Sequence, residues 1–500
     1  MTLKLYDVQT ITKIETKAIQ EWGVPAFELM QRAGRVAFEV IREQWSLAKK
    51  FAVICGSGNN AGDGYVLAKL LLEDDFKVDV YSVLDPSSAL SGVAELARQE
   101  FLSTGNSIKV LPNRLEAVDV IVDALLGIGF IPPLRTEWQK AIQLMNRSEK
   151  PIFSLDIPSG LDPNTGAVSK ETVKASVTLS YIGHKHILLS GPAVNYAGQV
   201  VVNDLGLADI LESIPWDGEI IDFPKTLSFL EHRKKSSHKG DYGHVLVIGA
   251  GKAGFSGAVG LAGSSALHAG AGAVSVFVHP EALSLLSRVP LELMCYSKEE
   301  EVPWQKANVC VLGPGLTESP WAKTHFDKAL RMHKPMVVDA DALNLLAQYP
   351  HKREEWVLTP HPGEAARLLG ITVEQVEQNR RDAVKSLQAR FGGVVVLKGA
   401  GTLVQGARED FHLCGAGNPG MAASGMGDIL AGLIGGLMAQ GMPLYESALL
   451  GVQVHASAGD IEQSLGERGM MASDLLLHIR SLLNPTTQKI ESNVSKFFNI

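Results

Sequence analysis
The side chains able to do chemistry in this sequence gather in a few glycine-rich stretches. The longest, Gly415–Asp428, reads GAGNPGMAASGMGD and leads into an apolar helical run that begins at Ile429. Glycines at a helix start leave N–H groups unpaired and aligned with the helix dipole, and together these attract an anion. An aspartate in that first turn, Asp428, is placed to take a hydroxyl proton while the same donors stabilise a transferring phosphoryl group. Simple pairing of Asp428 with the helix dipole is the structural alternative. Four further segments follow strand-like apolar runs: Gly313-Pro314-Gly315, Asp339-Ala340-Asp341, Thr359-Pro360-His361-Pro362-Gly363-Glu364 and Lys398-Gly399-Ala400-Gly401-Thr402. A lone His361 more often serves as a structural hydrogen bonder, and Lys398 equally suits a surface cation, although the glycines beside it let a nucleotide approach.

An earlier group has a different chemistry. Gly56-Ser57-Gly58-Asn59-Asn60-Ala61 continues as Gly62-Asp63-Gly64, with two amides and a carboxylate where a loop that only binds pyrophosphate needs backbone N–H groups. Amide carbonyls and carboxylates are hard oxygen ligands, suited to a cation or to ribose hydroxyls. Asp123 closes VDVIVDALLG, Asp156 closes IFSLDIPSG, and Ser159 lies just beyond. Any one such aspartate is more often a helix cap; three features on successive elements point to a site. Gly56–Ala61 and Gly249–Gly254 both satisfy GxGxxG/A after a strand, and Asp85 ends the strand after the first loop, so a Rossmann dehydrogenase stays open. Neither loop has the lysine and hydroxyl of GxxxxGK[ST], which excludes a P-loop.

Alternating strands and helices must position these groups. Amphipathic stretches at 7–20 and 27–43 open the chain. Apolar runs then recur at 51–55, 78–83, 118–122, 152–155, 175–181 and 199–202, and, after a break, at 244–248, 273–278, 309–312, 336–338, 356–358 and 394–397. A short hairpin at 402–413 and helices near 428–440, 447–463 and 472–483 follow, and the tail 484–500 is polar. Strand–helix alternation predicts mostly parallel sheets covered by helices. The rhythm stops near Pro215, and EHRKKSSHK (231–239) is polar and basic. The expected organisation is therefore α/β, with a domain over 1–215, a linker over 216–235 and a second domain over 236–500. Ligands of open α/β sheets lie beyond the carboxyl ends of the strands, where all these loops fall.

Composition narrows the function classes. Lys and Arg total 46 against 54 Asp and Glu, a formal net charge of −8, so no broad basic face is expected for nucleic acid or anionic lipid. Cys55, Cys295, Cys310 and Cys414 lie far apart without metal-ligand spacing and read as reduced thiols of a cytoplasmic protein. Residues 256–278 hold no charged side chain over a length able to cross a bilayer. However, the break at Gly270-Ala271-Gly272 before a β-branched run predicts a buried helix, a turn and a buried strand, so no membrane is expected. The 49 glycines exceed ordinary usage, and much of that surplus falls in the loops above.

The runs GSGNNAGDG, VDALLGIGF and LDIPSGLDPNTG resemble the NAD(P)H-hydrate epimerase family, the YjeF N-terminal domain, over about residues 5–215. Ala61 stands where that family usually has glycine. The resemblance implies a Rossmann-like three-layer sandwich in which Asn59, Asn60, Ala61, Gly62 and Asp63, with Gly127, Ile128, Gly129, Phe130, Ile131, Pro132 and Pro133, contact a hydrated nucleotide. It also implies a potassium ion held by Asn60, Asp123 and Ser159, and Asp156 as acid/base at the nicotinamide ring. HKGDYGHVLVIGAG, VVDADALN and TPHPGE are similar to the ribokinase-like NAD(P)H-hydrate dehydratases, the YjeF C-terminal domain, over about residues 225–485. That resemblance implies a second three-layer sandwich in which Ala258, Gly315 and His361 line the hydrate, while Lys398, Gly399, Ala400, Gly401, Thr402 and Gly427 hold ADP or ATP with Mg2+. Asp428 would activate the 6-hydroxyl. Ser424 and Met426 depart from the family's usual small residues. A small-alcohol kinase with a non-enzymatic first domain is the competing reading, and a homo-oligomer is expected because related enzymes often assemble.

Overall fold
The computed structural model describes residues 3–484, apart from Glu116, Glu409 and the side chain of Arg288; the polar tail expected at 484–500 lies, beyond Asn484, outside them. The chain divides into two compact units, Lys4–Gly218 and the remainder from Glu219, which also takes in Leu3.

The first unit runs β1 (Lys4–Tyr6), α1 (Val8–Gln20), α2 (Ala26–Gln44), β2 (Lys50–Cys55), α3 (Asn59–Glu73), β3 (Lys77–Ser82), α4 (Gly92–Ser103), β4 (Ile108–Val110), β5 (Val120–Ala124), α5 (Thr136–Arg147), β6 (Ile152–Leu155), β7 (Val177–Tyr181), β8 (His184–Lys185), α6 (Val194–Ala197), β9 (Gln199–Asn203) and α7 (Ala208–Glu212). Seven strands form one parallel sheet in the order β4-β3-β2-β5-β6-β7-β9. Phe51 to Cys55 and Val120 to Ala124 are wholly buried, as expected of strands covered by helices on both faces. From β2 the chain winds outward through β3 and β4; from β5 it winds the other way. The reversal between β2 and β5 leaves a crevice at their carboxyl ends, the usual ligand position in such sheets. Two-residue β8 pairs in parallel with β1 and is too short to leave a periodic trace in the sequence.

The second unit opens at β10 (Gly218–Ile220) and α8 (Phe223–Leu227) and continues through β11 (His244–Gly249), α9 (Ser256–Ala269), β12 (Ala273–Val278), α10 (Pro280–Leu283), β13 (Met294–Tyr296), β14 (Val309–Leu312), α11 (Pro320–Leu330), β15 (Met336–Val338), α12 (Asp341–Gln348), β16 (Trp356–Leu358) and α13 (Pro362–Leu369). It ends with α14 (Val373–Gln378), α15 (Arg380–Phe391), β17 (Val394–Leu397), β18 (Leu403–Gln405), β19 (Phe411–Leu413), α16 (Met426–Ala439), α17 (Leu444–Glu462) and α18 (Leu475–Leu482). Its strands follow the order β13-β12-β11-β14-β15-β16-β17-β18-β19, parallel as far as β17 and antiparallel through the closing hairpin. The winding again reverses, between β11 and β14.

Residues 216–235 are not the plain linker expected. Ile221 is buried and its N–H bonds to the Leu413 carbonyl, while Phe223, Leu227 and Leu230 pack on the core beside α17 and α18. The apolar residues of that segment drive it onto the second unit; Trp216, Pro224, Lys225, Ser228 and Phe229 face outward, and the charged stretch after Leu230 is exposed. Over 256–278 the chain forms α9, a left-handed Gly270 (φ +106°) and β12, and no helix among the described residues is long and apolar enough to cross a membrane.

Helix α16 carries Asp428 and is almost entirely buried between α9 and the sheet. A Cβ on Gly432 would lie 2.0 Å from the Ala262 carbonyl oxygen of α9, so only glycine permits that approach. The packing of glycines thus fixes where the helix, and its first turn, can sit.

Candidate active sites
In the first unit the crevice between β2 and β5 gathers what the sequence scattered. Asp123, at the end of β5, is fully buried. Its Oδ1 accepts from the Ser159 hydroxyl at 2.6 Å, and its Oδ2 from the Ser159 N–H and the Ser154 hydroxyl, both at 2.9 Å. Burial pushes its carboxyl up despite these bonds. The Leu126 N–H donates to Ser159 Oγ at 2.8 Å, and the Leu126 carbonyl accepts from Asn60 Nδ2 at 2.9 Å. Asn60, Asp123 and Ser159 therefore come together around the Leu126 peptide. Asn60 Oδ1 is buried without a hydrogen-bond partner. An orphaned amide oxygen beside a hydroxyl and a carboxylate is a donor set of hard oxygens that fits an alkali cation.

Asp156 sits beyond β6 with φ +67°, and the Ile157 N–H bonds back across it to the Leu155 carbonyl at 2.9 Å. Such a three-residue turn is costly for a side-chain-bearing residue and persists only where the surroundings enforce it. Its Oδ2 accepts the Ile128 N–H at 2.9 Å, which ties the Gly127–Pro133 loop to it. A Cβ on Gly127 would lie 3.1 Å from that same oxygen and 3.3 Å from Asn60 Cβ, so Gly127 joins the two halves of the site. From Ile131 to Pro133 the loop is exposed, while Phe130 is buried. Asn59 is exposed, Ala61 and Gly62 are buried in the first turns of α3, and Asp63 is half-buried. Burial, reinforced by Asp156 and Glu15, pushes the Asp63 carboxyl well above its ordinary range.

Sequence reasoning missed three members of this cluster. Lys185 of β8 is 1% exposed and pairs with Asp156 Oδ1 at 2.9 Å. Glu15 of α1 is pushed up to about 7, first by burial and then by Asp156, against the pull of Lys185. The buried Tyr181 hydroxyl is raised by burial and by Asp63 and Asp156. Only Lys185 left a signal, a lone cation inside the apolar run YIGHKHILL; a charge buried there needs a partner.

In the second unit the loops after β11 and β14 close on each other: the Ala250 N–H bonds to the Pro314 carbonyl at 3.0 Å and the Gly251 N–H to the Gly315 carbonyl at 2.9 Å. A Cβ on Gly315 (φ +59°) would lie 2.7 Å from Phe255 Cβ and 3.3 Å from Ala258 Cβ, which places Ala258 and Gly315 side by side. The charged groups stand at the next three strands and the helix above them. Asp339, after β15, is 1% exposed; its Oδ1 accepts from the Thr359 hydroxyl at 2.7 Å and from Lys398 Nζ at 2.8 Å. Lys398, after β17, also lies 3.8 Å from Glu364. Burial opposes its charge, but Asp339 and Glu364 outweigh that and raise its pKa. Buried Arg380 donates to the carbonyls of Leu397 and Lys398, both at 3.1 Å, and so braces the strand end that presents Lys398. Within the Lys398–Thr402 turn, the Thr402 hydroxyl bonds to the Gly399 carbonyl at 3.0 Å.

A Cβ on Gly427 would lie 3.2 Å from Lys398 Nζ and 3.4 Å from Asp339 Oδ2, so the start of α16 meets this pair directly. Asp428, the next residue, is pushed up to about 7 by burial and by Asp339, with Lys398 opposing. A carboxyl so raised exchanges protons near neutrality, as a general base must. Ser424 is exposed and Met426 buried, on either side of the left-handed Gly425 (φ +91°). His361 caps α13: its Nδ1 accepts the N–H of Gly363 at 2.9 Å, and Glu364 returns a bond to the His361 N–H at 2.7 Å. Burial, together with Lys398 and Arg367, lowers its pKa. Among the described residues, no three His, Cys, Asp or Glu side chains form a metal cage.

Comparison with known proteins agrees with this division. The family described as YjeF-related protein N-terminus matches residues 26–187, and that described as NAD(P)H-hydrate dehydratase matches residues 245–481. The bifunctional NAD(P)H-hydrate repair enzyme of Coxiella burnetii is 41% identical over 488 residues, covering 96% of this chain and 99% of its own. That of Escherichia coli is 40% identical over 485 residues, covering 95% and 93%. Among solved structures, the ADP/ATP-dependent NAD(P)H-hydrate dehydratase of Bacillus subtilis, co-crystallised with ATP/Mg2+, is 26% identical and covers 53% of this chain and 96% of its own, with a TM-score of 0.47. With relatives of this identity spanning nearly its whole length, the chain belongs to the bifunctional NAD(P)H-hydrate repair enzymes.

Proposed function
We propose that the first unit interconverts the R and S hydrates of NAD(P)H and that the second returns the S hydrate to NAD(P)H at the expense of ADP or ATP. The observation that carries the second half is Asp428, tuned to about 7 in the first turn of α16 beside Lys398 and Asp339. Asp428 removes the proton of the substrate's 6-hydroxyl as that oxygen attacks the terminal phosphorus of the nucleotide; with ADP, the bond to AMP breaks and AMP leaves with its electron pair. The new phosphate ester then departs from C6 with the C6–O electron pair while C5 loses a proton, and the C5=C6 bond of the dihydronicotinamide is restored. Lys398, beside the start of α16, balances charge on the transferring group in this reading, and N–H groups there supply further donors. A magnesium ion brought in on the nucleotide would neutralise part of its phosphate charge.

In the first unit, Asp156 accepts the 6-hydroxyl proton as the C6–N1 bond opens; the electron pair passes to N1, which gains a proton, and ring closure on the other face inverts the centre. The Gly127–Pro133 loop and the start of α3 hold the nucleotide. A potassium ion bound by Asn60, Asp123 and Ser159 would supply a fixed positive charge to the crevice.

The test is incubation of the full chain with mixed hydrates and ADP. Complete conversion to dihydronicotinamide with stoichiometric phosphate supports both halves. Conversion that stops once the S form is consumed removes the epimerase reading, and accumulation of a stable phosphate ester assigns an alcohol kinase instead.

A further inference from the structure
We infer that Lys185 is a positioning residue for epimerisation, clamping the Asp156 carboxylate in its proton-accepting orientation. This inference rests on the role proposed above for Asp156. An ammonium group has three N–H donors. Those of Lys185 are spent on Asp156 Oδ1 at 2.9 Å, Ser180 Oγ at 2.9 Å and the Tyr181 carbonyl at 3.0 Å, and the side chain is 1% exposed. No donor is left for a substrate, so Lys185 acts through Asp156. Because the Ile128 N–H holds Oδ2, both carboxylate oxygens are fixed, on a backbone already held at φ +67°.

The neighbours explain why a cation is needed there. Glu15 from α1, Asp63 from α3 and the Tyr181 phenol from β7 all face Asp156, and His184 stands next to Lys185. Three carboxyl groups crowd the pocket, and like charges in proximity drive one another to protonate. Lys185 supplies a counter-charge to this crowd and sets it directly on Asp156 Oδ1. Ser180 in turn orients the clamp: its Oγ accepts from Lys185 and donates to the Gly183 carbonyl at 2.9 Å. Buried lysines also serve as plain structural ties, and such a tie would influence unfolding without separating kcat from KM.

The experiment measures epimerisation of the R hydrate by the full chain carrying Lys185→Met, Ser180→Ala or Asp156→Asn, with dehydration of the S hydrate by the second unit as the control for intact protein. Lys185→Met is expected to lower kcat about 100-fold or more, with KM within about threefold and the acid limb of the rate–pH profile moved up by about 1–3 pH units. Ser180→Ala shifts the same two quantities in the same direction by a smaller amount. A Lys185→Met protein with wild-type kcat and an unmoved acid limb overturns the inference. If that variant does not fold, a wild-type kcat and acid limb in Ser180→Ala overturn it instead. Asp156→Asn separates the two readings: full epimerisation there removes the role of Asp156 itself, whereas loss there alongside unaffected Lys185→Met and Ser180→Ala removes only the clamp.

Discussion
Both units place a lysine–aspartate pair at the carboxyl ends of parallel strands, yet the pairs are built to opposite purposes. In the first, Lys185 is sealed (1% exposed) with every donor engaged, and its aspartate is the proposed reactive group. In the second, Lys398 is 19% exposed and reaches the start of α16, while its partner Asp339 is the sealed member. A closed pair fixes a charge; an open one keeps a cation available to an incoming anion. The difference matches the two proposed chemistries, since epimerisation transfers no charged group and phosphorylation does. The switch points follow suit. The crevice between β2 and β5 is occupied by site residues, whereas the loops after β11 and β14 are tied to each other and the charged groups move on to β15–β17.

The contrast can be broken most forcefully at the reactive acids. Asp428→Asn should reduce dehydration by about 10²–10⁴-fold with epimerisation intact; a kinetic assay with separated epimers reads both. Asp156→Asn should produce the converse, leaving the R hydrate unconsumed at long times. Because asparagine tolerates a left-handed backbone as aspartate does, that change isolates the charge from the turn.

A milder test concerns pH. Asp428 is raised to about 7, so its ionised form is disfavoured in the folded unit. Stability linked to it is present below the ordinary aspartate range and lost as pH rises from about 4 towards 7. The dehydration rate runs the other way, falling below pH 7 as the base protonates. Asp428→Asn should thus make the second unit melt at a higher temperature than the wild type at pH 8, measured calorimetrically, in return for its activity.

Packing gives a smaller effect confined to one unit. Gly432→Ala forces a methyl group against the Ala262 carbonyl and should cost the second unit about 1–3 kcal/mol. Chemical denaturation should register that loss while epimerisation continues. The smallest expected change is in cation response: Asp123→Ala should flatten the dependence of epimerisation on potassium, which a titration of potassium chloride against choline chloride would reveal.

Much of this was legible in the sequence because each glycine loop and acidic residue followed a recognisable apolar strand. Asn60, Asp123, Asp156 and Ser159 could be grouped before any coordinates, since parallel strands deliver their carboxyl ends to one edge. The same logic assembled Lys398, His361 and Asp428. What escaped detection lay outside that pattern. Lys185 belongs to a strand of two residues and Glu15 to a helix that also carries Lys13 and Lys17, where it reads as part of a polar face; only the fold brings them to Asp156. The role of 216–230 was hidden for a related reason, because its strand and helix are too short for either periodicity to register.

The turn at Asp156 has a consequence for how this chain changes over generations. A left-handed backbone suits glycine better than aspartate, and the two amino acids are one base change apart. That mutation would relieve the turn and erase the proton acceptor together. It would also strand the buried Lys185 ammonium without its counter-charge, so the strained turn and its partner hold one another in place. Where the first unit drifts, loss of the acid at this position should therefore be accompanied by loss of the Lys185 charge.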